Sequence, residues 1–150
     1  MSPEEAVVAR LLTIPAVTAI VGTRVWLVIL PQSPVTPCVR VQQVSQIDDG
    51  QNLRGGGGSR GWARVQVDAV TDVDDPGNAY DVARQLTEAI HGDGRGTAAT
   101  GLLGWRGTSD GLAITGIFSL LDGVAEFEPE ELQQLRIRRD YQVCFADDSL

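Results

Sequence analysis

Lysine is absent from this chain: all 12 basic residues are arginine. That excludes Schiff-base chemistry and the phosphate-binding lysine of P-loop sites. Histidine occurs once, as His91, so a hydrolytic triad would have to be built around that residue alone. The two cysteines, Cys38 and Cys144, fit no zinc-finger or ribbon spacing. Each falls in a predicted strand, where a free cysteine behaves as a small buried apolar residue, and a disulfide requires those strands to be neighbours. Long apolar runs are also missing. The stretch from Ala16 to Leu30 is broken by Gly22-Thr23-Arg24 and is too short to cross a bilayer. The first residues are acidic rather than basic, unlike a secretion signal, so the expectation is a soluble chain made in the cytoplasm with no membrane partner.

A chain of 150 residues is the size of one domain and buries a real core. Its 20 acidic residues outnumber the bases, for a net charge of −8. Repulsion from phosphate therefore opposes binding to duplex nucleic acid unless the arginines cluster.

Ser2-Pro3-Glu4-Glu5 reads as a capping box opening a helix, with Val7, Val8, Leu11 and Leu12 as its apolar stripe. Pro15 to Val21 predicts a second short helix, ended by Gly22. Val25 to Leu30 is a continuous apolar run rich in β-branched residues and reads as a buried strand. Pro31, Pro34 and Pro37 hold the next segment extended. Cys38 to Ile47 is a strand whose alternation slips at Gln42-Gln43, the mark of a bulge. Trp62 to Val70 alternates, with Ala63, Val65, Val67 and Ala69 inward and Arg64, Gln66 and Asp68 outward. Asp74-Asp75-Pro76 begins the main amphipathic helix, carried by Ala79, Val82, Ala83, Leu86, Ala89 and Ile90 and stopped by Gly92. Leu112–Leu121, Val124–Glu128 and Leu132–Phe145 complete an antiparallel system, with Asp122-Gly123 as a hairpin turn. In the last strand Leu135, Ile137, Tyr141, Val143 and Phe145 share a face that Arg139 interrupts. The fold class is α+β, a mostly antiparallel sheet packed with two main helices in one domain, with flexible loops near 48–60 and 92–111.

Arg54-Gly-Gly-Gly-Gly-Ser-Arg-Gly61 invites two functional readings. As a phosphate cradle it lacks lysine and leads into a strand instead of a helix. As a fragment of an RGG segment for single-stranded nucleic acid it is one short copy in an acidic protein. A flexible loop is the favoured reading. Glu126, Glu128, Glu130 and Glu131 match no calcium loop and read as a solvated strand face. Arg136, Arg138 and Arg139 follow them, so acids of one subunit meeting arginines of the next would set register. Trp105, between Gly104 and Arg106, is a candidate interface anchor as much as a packing residue. His91 ends a helix, where a cation complements the dipole. No cofactor or metal is implied.

The order of these landmarks resembles the small tail completion (tail terminator) proteins of tailed bacteriophages and related particles. The elements that carry it are the opening helix, Gly22-x-Arg24 before the first strand, Pro31 before an extended segment, and the Trp62–Val70 strand leading to an amphipathic helix. The acidic turn before Leu135–Phe145 completes the set. The resemblance implies a non-enzymatic virion protein, assembled in the host cytoplasm. It would form a ring, usually a hexamer, capping the head-proximal end of the tail tube. Its partners would be its own copies, the tail tube protein and the head-completion connector, with DNA passing through unbound. Arg54, Arg60, Trp105, Arg106, Glu126, Glu128, Arg136 and Arg138 are the partner-contact candidates. The glycine tract and the segment 92–111 depart from the family pattern. A head–tail connector or neck component, a small single-strand-binding module and, last, an enzyme stay open as alternatives.

Overall fold

The computed structural model describes residues 2–31, 35–48, 59–72, 76–94, 100–128 and 134–147. Helix α1 spans Pro3–Leu11, and its capping box is formed: Glu5 N–H donates to Ser2 Oγ, and Ser2 N–H donates to Glu5 Oε2 at 2.8 Å. Helix α2, Pro15–Val21, opens on proline, and Gly22 at φ 61° ends it. The strands are β1 Val25–Leu27, β2 Cys38–Asp48, β3 Ser59–Asp72, β4 Gly107–Ser109, β5 Leu112–Glu128 and β6 Gln134–Asp147. Helix α3, Pro76–His91, lies between β3 and β4 in the chain; Asp74 and Asp75, read as its start, fall outside the described residues.

The strands form one sheet in the order β1-β2-β3-β6-β5-β4, antiparallel except for β1 beside β2. The helices cover one face. Val39 and Val41 of β2, Ala63, Val65 and Val67 of β3, Tyr141, Val143 and Phe145 of β6, and Ile114 and Ile117 of β5 meet Val7, Leu11, Val17, Leu86 and Ile90 there. Alternation sends one side of β2, β3, β5 and β6 into this core, as expected for β3 and β6. Among the described residues no helix lies over the opposite face.

Four local features differ from the sequence expectation. Val25–Leu30 is not a buried strand: β1 is three residues long, lies at the sheet edge parallel to β2, and leaves Trp26, Leu27, Val28 and Ile29 exposed. An apolar run has the same composition whether its own fold covers it or not. Asp122-Gly123 is not a hairpin turn, because β5 runs through it and pairs with β6 on both sides. It lies instead at one of three register shifts along β5, where extra residues bend the strand. The buried side of α1 is Ala6, Val7, Arg10 and Leu11, while Leu12 is exposed. Gly107–Ser109, read as loop, is β4. The bulge in β2 falls between Gln43 and Ser45, next to the slip in its alternation.

Candidate interaction surface

The face of the sheet opposite the helices carries rows of polar side chains set by strand register, with Cys38 and Val70 fully buried at one end of it. Arg40 of β2, Asp68 of β3 and Arg138 of β6 stand opposite one another, as do Gln42, Gln66 and Asp140 in the next row. Asp68 is only 2 % exposed although it sits on this open face, because its neighbours lie over it. Arg40 donates from Nε at 3.1 Å and Nη2 at 2.7 Å to Asp68 Oδ2, and Arg138 Nε lies 3.9 Å from Oδ1. Gln66 Nε2 reaches both carboxylate oxygens, at 3.3 and 3.2 Å. Asp140, 3 % exposed, accepts from Arg64 Nε at 2.7 Å. The two carboxylates fix the guanidinium planes of Arg40 and Arg64 through hydrogen bonds, with Arg138 as a longer-range charge partner of Asp68, a pattern that orders a surface for contact.

The candidate contact residues fall in three places. Arg136 and Arg138 are half-buried on the open face; the register sets Glu126 opposite Arg136 and Glu128 opposite Gln134 within the same chain. Arg60 is exposed on β3, in a cleft shared with Trp62, Thr115 and Cys144. Trp105 and Arg106 lie elsewhere, just ahead of edge strand β4. Arg106 is exposed, whereas Trp105 is half-buried and packed against the core. Arg54, Glu130 and Glu131 lie outside the described residues.

Arg10 is the residue that sequence reasoning missed. Only 5 % exposed, it donates through Nη2 to the carbonyls of Thr100 and Gly101, and its guanidinium stands 5.2 Å from the centre of the Trp105 ring. Burial draws its pKa below the ordinary arginine value. One signal was present: Arg10 recurs at helical spacing with Ala6, Val7 and Leu11. The segment it holds is also stitched to the end of α3, with Leu102 N–H donating to Ile90 C=O at 2.7 Å and Leu103 N–H to His91 C=O at 3.1 Å.

His91 lies in the last turn of α3, as its only basic residue there. Its Nδ1 lies 3.1 Å from Arg139 Nη1 and 3.1 Å from Tyr141 Oη. Arginine can only donate, so Nδ1 is the acceptor of the Arg139 contact, and Arg139 brings a permanent charge beside the helix terminus. This also accounts for an arginine on the apolar face of β6. Both cysteines are free, on strands separated by β3. Burial pushes the Cys38 thiol up to about 11, against opposing pulls from Arg24 and Arg136. No helix is long and apolar enough to cross a membrane, among the described residues.

Comparison with known proteins gives three findings. The family described as Tail completion protein gp17 matches residues 5–112. No curated protein matches the chain. Among solved structures, a chain of the "Virion of native gene transfer agent (GTA) particle" is similar at a TM-score of 0.56 and 18 % identity, covering 95 % of this chain and 93 % of that one. At that identity the likeness is one of fold.

Proposed function

This chain belongs to the tail completion protein gp17 family, which makes it a structural protein of a phage-type tail, and we propose that it caps the head-proximal end of the tail tube as a closed ring. The ring, of about six copies as the family resemblance implies, ends tube polymerisation and offers the surface that the head-completion connector joins. DNA passes through it without specific binding, in keeping with the net charge of −8.

The observation that carries this reading is a sheet covered by helices on one face only. A capping ring needs one surface for each lateral neighbour and one for the tube, and a cyclic assembly needs its two lateral surfaces to differ. The fold leaves available an arginine-bearing sheet face, the β1 edge, and the opposite edge with the Trp105–Arg106 segment beside it. Exposed apolar groups at Trp26, Ile29, Val35, Trp62, Phe118 and Leu120 add contact area of the kind interfaces use.

Electron microscopy of particles assembled without the protein tests the role. Overlong tails are the expected result. Tails of normal length that fail to join heads would make it a connector instead. Tails of normal length joined to heads would refute both readings.

A further inference from the structure

The sheet ends in two edges that no described strand covers. One is β1. The other is β5 past Ile114, because β4 pairs only with Leu112–Ile114. Gly104 N–H donates to Ile117 C=O at 3.0 Å, and beyond that point no described strand lies on this side of β5.

The two edges run in opposite directions. β1 is parallel to β2, and the pairs β2/β3, β3/β6 and β6/β5 are each antiparallel, so β1 and β5 are antiparallel to each other. Copies that continue one sheet around a ring keep their strand directions. The β1 of one copy therefore meets the β5 of the next in the antiparallel sense, the stronger of the two ladders.

The backbone of β1 is set for such an addition. Val39 N–H donates to Arg24 C=O at 3.0 Å and Val28 N–H donates to Val41 C=O at 2.8 Å, so the even-numbered positions face β2. The odd positions, Val25 and Leu27, turn their polar groups to the open side. Local turns use Val25 N–H and Leu27 C=O. Val25 C=O and Leu27 N–H remain, one acceptor and one donor aimed outward.

Side chains agree at both edges. Trp26, Leu27, Val28 and Ile29 are exposed beside β1, Ile29 at 76 %, and Phe118 and Leu120 are exposed on β5. Val28 holds φ 65°, a costly conformation for a β-branched residue. No charged residue occurs between Arg24 and Arg40, so the charges that commonly guard an open edge against pairing are missing.

We infer that the β1 edge, Val25–Ile29, of one copy adds antiparallel to the β5 edge beyond Ile117 of the next, so that one sheet runs from copy to copy. This inference rests on the ring reading above and names the junction that closes it. The occupant of each edge is a second copy of this chain, since the two edges differ, are opposed in direction and meet through exposed apolar side chains, Ile29 on one and Phe118 and Leu120 on the other, ahead of the acids Asp122, Glu126 and Glu128 of β5.

The test uses the full chain with two single substitutions, Ile29→Glu and Phe118→Glu, at exposed positions, with folding checked by circular dichroism. Each variant alone should lose the closed oligomer and run as monomer by light scattering, at the concentration where the wild type is closed. Mixed together they should form dimers and nothing larger, because the mixture restores one sound junction per pair. A Leu27→Cys/Leu120→Cys chain that also carries Cys144→Ser, oxidised, should give a ladder of cross-linked species that the same chain with either new cysteine alone does not give. This second measurement stands if a glutamate variant fails to fold.

If both glutamate variants keep the closed mass, or the cysteine pair gives no ladder in a protein that forms rings, this junction is wrong and the ring survives. If Ile29→Glu dissociates while Phe118→Glu does not, the edges pair symmetrically, β1 to β1, and the inference falls. If the wild type stays monomeric alone and on assembled tail tubes, the ring reading falls and takes the junction with it.

Discussion

Gly101→Ala sets a methyl group where backbone already stands. The new Cβ would lie 2.2 Å from the Ile90 carbonyl oxygen and 2.5 Å from both Gly92 N and the His91 carbonyl carbon. None of these is the flexible end of a side chain, so the 100–103 segment must lift away from the end of α3. Two backbone bonds part, Leu102 N–H to Ile90 and Leu103 N–H to His91, each contributing about 1 kcal/mol. Leu102, fully buried, is partly unseated at a cost of about 1 kcal/mol. Reduced freedom of the unfolded chain returns up to about 1 kcal/mol. The net loss is about 2–3 kcal/mol, and Tm should fall by about 4–12 °C. Gly22→Ala is the comparator: its Cβ would meet nothing closer than Arg24 Nη1 at 3.8 Å, so only the backbone conformation at φ 61° and ψ −119° is penalised, about 1–3 kcal/mol. Urea unfolding followed by tryptophan fluorescence and far-UV circular dichroism measures both. If Gly101→Ala costs less than about 1 kcal/mol, the packing argument for this segment is refuted.

Three further outcomes are expected. Asp68→Ala removes the carboxylate beneath Arg40 and Arg138; because both arginines are partly solvated, the loss should be about 2 kcal/mol, below that of a fully buried pair. A double-mutant cycle with Arg40→Ala should return a coupling of about 1 kcal/mol, and a value near zero would count against the bridge. Trp105→Ala should cost about 2 kcal/mol and Trp105→Phe clearly less, since the ring packs on the core under Arg10; equal losses would contradict that placement. Cys38 gives a pH dependence: its folded thiol is raised from 9.0 to about 11, so the unfolded chain loses its proton first and stability falls as pH rises through that window. Cys38→Ala should flatten the decline, and unchanged alkaline curves would show that Cys38 does not cause it.

Where local chemistry decides the structure, the sequence was readable. The Ser2–Glu5 capping box, the stop at Gly22, the alternation of β3 and the amphipathic α3 ending at Gly92 all act within a few residues of the chain. Features set by tertiary position were not. The run from Val25 has the composition of a buried strand, and only the strand order reveals an edge. Asp122-Gly123 satisfies a two-residue turn and a bulge equally well, since both need the same backbone freedom. Asp68 read as an outward residue; its burial comes from Arg40, 28 residues earlier, and Arg138, 70 residues later. As for the candidate contacts, Arg136 and Arg138 were legible from their alternation on β6. Their coupling to β2 and β3 was not, because register between distant strands leaves no trace in spacing.

The three bulges of β5 carry a consequence for how this chain tolerates change in length. β5 has 17 residues where β6 has 14, and the three extra ones sit at the register shifts. In a regular strand, losing one residue throws every later side chain onto the opposite face. At a bulge the same loss restores the ordinary ladder and leaves the faces as they were. Single-residue deletions are thus absorbed at three points in the strand that flanks the open edge, without turning the core outward.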